Sequence, residues 1–207
     1  VGNWDGSLPV PNNVIVNRSE VFQFFKDHFP NFGNDDPKGV EWFFTGAYLG
    51  GDINGFKGFF SEVFTRNNAL TARFPHNPNR EQFNTFVTDA LLNKRAIGLN
   101  VYGVAGPQTG NHAMTAWGVE YDEAGDIAYI YYCDNNFAEQ DPNGAVLIRQ
   151  QVVYAVDNYG KECTYLQQLK PEAPDTRVGK FLITSVFSAD LGRDIWKKKY
   201  PNVVVEK

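Results

Sequence analysis

Gly110-Asn111-His112-Ala113-Met114-Thr115-Ala116-Trp117-Gly118-Val119-Glu120-Tyr121, then Asp122-Glu123-Ala124-Gly125, then Asp126-Ile127-Ala128-Tyr129-Ile130-Tyr131-Tyr132-Cys133-Asp134, reads as two strands joined by a tight turn. A histidine stands at the mouth of the first strand and an aspartate at the far end of the second. If Glu123-Ala124-Gly125 is a three-residue loop with Gly125 in the left-handed region, Asp122 closes against Asp126. Running back along both strands then sets Asn136 opposite His112 and leaves Asp134 as its diagonal neighbour on the same face. Such neighbours lie about 7–8 Å apart, within reach of long side chains. A loop one residue longer would put His112 and Asp134 on opposite faces. A histidine with an orienting carboxylate beside it is the arrangement a general base needs.

Around this hairpin the chain reads as one packed domain. Its 207 residues, 43% hydrophobic and 15% aromatic, are enough for a large core and speak against disorder. The net charge of −5 is spread along the sequence, which argues against a phosphate-binding surface and hence against nucleic acid as a partner. No apolar run is long enough to span a bilayer. The two cysteines, Cys133 and Cys163, are too few for a disulfide framework, although one bridge between them is open. His28, His76 and His112 are scattered and have no zinc-type spacing, so neither a metal nor a cofactor is expected.

Residues 1–18, rich in Gly, Pro and Asn, read as an extended arm. A single α+β domain over residues 19–207 follows, with a helical part over 19–94 and a sheet part over 95–190. Ser19 caps a helix whose Val21, Phe22, Phe25 and Phe29 recur at helical spacing up to Pro30. Asp36-Pro37 opens a second helix, ending at Thr45-Gly46. Gly50, Gly51, Gly55 and Gly58 lack the Gly-Lys-Ser/Thr ending of a phosphate loop and read as a connection into a helix over residues 56–64. His76 lies in an exposed turn, and Asn79 caps a helix through Leu91. Strands follow over residues 96–104, in the opening hairpin, and over 145–156, 162–169 and 180–189, with turn residues at 157–161. Helices first and an antiparallel sheet second is the segregated α+β class.

A helical part followed by a sheet carrying His and then Asp is the order of papain-like cysteine proteases. Several motifs add to this in sequence. They are Phe43-Phe44-Thr45-Gly46-Ala47-Tyr48, Phe60-Ser61-Glu62-Val63-Phe64-Thr65-Arg66, Arg95-Ala96-Ile97-Gly98-Leu99, and Asn111-His112 leading to Trp117-Gly118 and Tyr121-Asp122. Residues 128–134 and the closing segment from Gly192 to Trp196 continue the series. Together, over roughly residues 20–196, they resemble the Mac/IdeS family of bacterial immunoglobulin-degrading cysteine proteases. The resemblance implies a papain-like fold, a secreted or cell-surface bacterial endopeptidase, and a protein substrate such as immunoglobulin. It implies His112 as the catalytic base and Asp134 as the residue that orients it. The second acidic residue usual two positions further on is Asn136 here.

The family's cysteine nucleophile begins a helix upstream of all these motifs, with a basic residue contributing to the oxyanion hole, and neither has a counterpart in this sequence. Cys133 alternates away from the His112 face, and Cys163 lies mid-strand with nothing in sequence to activate it, so both are expected to be inert. Three arrangements answer this. The nucleophile is carried by a separate Cys-bearing chain or light chain, as the start at Val1 suggests; or it lies on an upstream segment; or the chain is a non-catalytic binding module holding a host protein. A binding module alone has no need of His112 and Asp134. Without the resemblance, a lone strand histidine reads as a satisfied core residue, and Asp134 as a turn former. Trp117, on the face opposite His112, is expected to pack.

Overall fold

The Asp122–Asp126 turn forms as the spacing predicts. In the computed structural model, Asp122 N donates to Asp126 O (2.8 Å), Gly125 N to Asp122 O (3.0 Å), and the Asp122 carboxylate accepts from Ala124 N and Asp126 N (2.9 Å each). Gly125 has φ 85°, the left-handed conformation that a residue without Cβ adopts without strain. The same device recurs at Asp157-Asn158-Tyr159-Gly160-Lys161, where Asp157 accepts from Tyr159 N and Lys161 N and Gly160 has φ 79°. The residues described are 36–48, 51–52, 58, 60–61, 64, 71–103, 111–133, 147–170, 173–190 and 192–202. The expected arm and the helix ending at Phe29 lie outside them, as do His28 and Asp134.

The elements in chain order are α1 (Asp36–Thr45), β1 (Ala47–Tyr48), β2 (Gly51–Asp52), β3 (Thr71–Pro75), α2 (Arg80–Leu92), β4 (Ala96–Gly103), β5 (Asn111–Tyr121), β6 (Ile127–Cys133), β7 (Leu147–Val156), β8 (Glu162–Lys170), β9 (Ala173–Ala189) and α3 (Arg193–Lys199). β1 and β2 form a small ladder of their own. The other seven strands form one sheet in the order β3-β9-β4-β5-β6-β7-β8, and β9 also pairs with β8. Six strands therefore close into a ring, with β3 joined to β9 outside it. Neighbours from β4 through β9 whose register is described are antiparallel.

This corrects the expected papain-like α+β architecture. Strand dominates the described residues, and the helices are three short ones of 10, 13 and 7 residues. The segment expected to be helical over residues 56–64 is not helical where it is described. Phe60 and Ser61 form a turn, and Phe60 N bonds back to Phe44 O (3.1 Å). Gly58 has φ 85°, and the space a Cβ would need is filled by Gly46 N, so the chain is fitted to the end of α1 in a conformation no helix contains. Meanwhile β9 runs for 17 residues, starting seven residues before the expected strand.

The described residues fall into two compact units, one of residues 73–188 and the other of 36–72 with 189–202. In the larger unit, Ile97, Leu99, Val101, Met114, Ala116, Ile127, Ile130, Tyr132, Val152, Leu166, Ile183 and Val186 bury one sheet face against Phe83, Val87 and Ala90 of α2. Burial of a side chain of this size contributes about 1.5–3 kcal/mol, which makes this face the main stabilising feature of the unit. α2 starts at Asn79, whose side chain accepts from Gln82 N while Gln82 bonds back to Asn79 N, a reciprocal capping box. In the smaller unit, Phe64 is buried against Phe44, Ile195 and Trp196, with Phe44–Phe64 and Phe64–Trp196 ring centroids 5.2 and 5.3 Å apart.

Candidate active site

β4 and β5 set the position of His112. Their register pairs Ile97 with Ala116, Leu99 with Met114 and Val101 with His112. All of these except His112 are buried, so His112 is the last member of a core-facing row and stands half-buried where that row ends. Asn100 and Gly98 pair with Ala113 and Thr115 and face the other way.

On the other side of β5, Tyr121 pairs with Ile127, as the three-residue loop requires. The pairing then slips twice. Ala128 is an extra residue on β6 and Trp117 an extra residue on β5, and the two bulges cancel, so Ala116 meets Tyr132 and Thr115 meets Cys133 in the register the loop alone would set. Cys133 accordingly lies opposite exposed Thr115, on the face away from the His112 row. Asp134 follows Cys133 and lies outside the described residues.

Trp117 does not pack. The bulge leaves it 67% exposed, which corrects the expectation from alternation alone. Both cysteines are free, so no bridge joins them. Cys163 is buried in β8; burial first, and then the negative charge of Asp157, pushes its thiol pKa up, and its Sγ lies 3.8 Å from Asp157 Oδ2. A buried thiol with a raised pKa carries little thiolate and is a poor nucleophile. Among the described residues no group of three or more His, Cys, Asp or Glu is arranged to hold a metal, and no helix is long and apolar enough to cross a membrane. His76, with φ 75°, sits in an exposed turn after β3.

Two polar networks brace the hairpin and were not apparent from the sequence. On the outer face Arg149 Nε and Nη2 donate to Glu120 Oε1 and Oε2 (2.7 and 2.6 Å), Tyr131 OH donates to Glu120, and the guanidinium lies 3.4 Å from the Tyr129 ring centroid. The hydrogen bonds from Arg149, and then from Tyr131, hold the Glu120 carboxyl down at about 2, and the same bond raises the Tyr131 pKa. At the turn end Asn84 of α2 accepts from Ile127 N (2.6 Å) and donates to Asp126 Oδ1 (3.3 Å) and Tyr154 OH (3.1 Å), while Tyr154 OH donates to Ile127 O (2.9 Å). Burial pushes the Tyr154 phenol pKa up, so it remains a hydrogen-bond donor. A signal for the first network would have been the β6–β7 register, which no short turn fixes.

No curated protein matches the sequence. Among solved structures, the apo form of EndoMS aligns with 64% of this chain and 60% of its own at 10% identity and a TM-score of 0.25. The chain thus spans about 60% of that protein, and so slight a likeness carries no argument. The sequence comparison with family models is different: residues 47–196 match the family described as Mac 1, a stretch that holds the whole ring of strands and both ends of the His112 hairpin. Covering well over half of the sequence, that match shows that the chain belongs to the Mac 1 family.

Proposed function

We propose that the chain supplies the general base, His112, and its orienting carboxylate, Asp134, to a thiol endopeptidase whose cysteine lies on an upstream segment or a separate chain. The observation that carries this is membership of the Mac 1 family over a stretch containing both residues. The geometry of His112 agrees with it. A half-buried imidazole at the end of a packed row is held in place yet reachable by a reacting group, whereas Cys133 faces away and Cys163 is buried. Neither cysteine suits the part of nucleophile.

The chemistry then runs in two halves. His112 takes the proton of the incoming thiol, and the thiolate adds to the scissile carbonyl carbon. The tetrahedral oxyanion collapses, the C–N bond breaks, and the imidazolium gives its proton to the leaving amine. Water, deprotonated by the same imidazole, hydrolyses the thioester. Asp134 holds the tautomer in which the ring can accept a proton, and stabilises the imidazolium. A protein substrate, immunoglobulin or another host protein, and a secreted or cell-surface location are part of the same proposal.

The test uses the protein with its native upstream sequence or companion chain. Polypeptide cleavage should be blocked by iodoacetamide, and mapping should place the activity-linked label on a cysteine other than Cys133 or Cys163. Cys133→Ser and Cys163→Ser should each retain cleavage. Loss of cleavage in either variant while it remains folded would overturn the assignment of an outside nucleophile, and binding of host protein with no cut would support the binding-module alternative.

A further inference from the structure

We draw no further inference here: the strongest candidate, the outer sheet face around exposed Trp117, Thr115 and Leu147 beside the Glu120–Arg149–Tyr131 cluster, is an unpartnered surface and nothing in the structure shows what covers it.

Discussion

Thr115 and Cys133 face each other across β5 and β6, and that pairing turns the Cys133 thiol away from the row in which His112 stands. The two thiols should therefore differ in reactivity. Half-buried Cys133 should be modified by a disulfide reagent in the native protein, and Cys163 only on unfolding, with time-resolved mass spectrometry as the readout; equal native rates would contradict the burial of Cys163. Glu120 makes a second residue-level prediction. Its carboxyl titrates near 4.5 when free and near 2 when folded, so its contribution to stability is fully present above 4.5 and is lost as pH falls toward 2. Arg149→Met should return the Glu120 titration toward 4.5 in carbon-detected NMR and flatten the acid limb of the stability profile; an unmoved titration would show that the hydrogen bonds do not set it. The orientation of His112 relative to Cys133 follows the parity of the short turn at Gly125 only because the two bulges in between, each of which would reverse it, cancel. The Glu120–Arg149 pair was not legible in the sequence, because residues 134–146 separate β6 from β7 and their length does not fix a register.

At the scale of elements, α2 is held by its cap and by Asn84. Asn79→Ala should cost about 1 kcal/mol in denaturant unfolding, the usual value for losing a side-chain cap. Asn84→Ala strips Ile127 N of its acceptor in a half-buried site and should cost about 1–3 kcal/mol. In β4, a Cβ on Gly98 would run into the Phe187 ring, so Gly98→Ala should destabilise by about 1–3 kcal/mol through overpacking. A neutral result would show that Phe187 yields. Asn79 as a cap was readable from residue type and position. The first half of β9 was not, because Pro174 and Gly179 are loop-forming residues that here sit in a strand pairing with β8. The phenylalanines near residues 56–64 mimicked a helical stripe, yet Phe64 serves a tertiary aromatic cluster with Phe44 and Trp196. Apolar spacing over a short segment does not distinguish the two.

Across the whole molecule, β9 closes the ring, because it pairs with β4 at one part of its length and with β8 at another. Antiparallel strands from residue 96 onward could be read from alternation and turn residues, but closure depends on one strand serving two partners, which leaves no local pattern. Among the described residues strand outweighs helix because β9 runs for 17 residues where a shorter strand is expected, and because β1, β2 and β3 are too short to show as alternation in the sequence. The hairpin carries over from sequence to structure, as do α1, α2 and strands β4, β7 and β8, and the proposed chemistry depends on the hairpin's first strand. The most direct test is the cleavage rate of His112→Ala, made in the protein with its native upstream sequence or companion chain, together with its thermal unfolding. Turnover should fall about 10³-fold or more while the unfolding midpoint stays close to that of the parent; a folded His112→Ala protein that cuts polypeptide at a near-normal rate would contradict the role of His112 as the base.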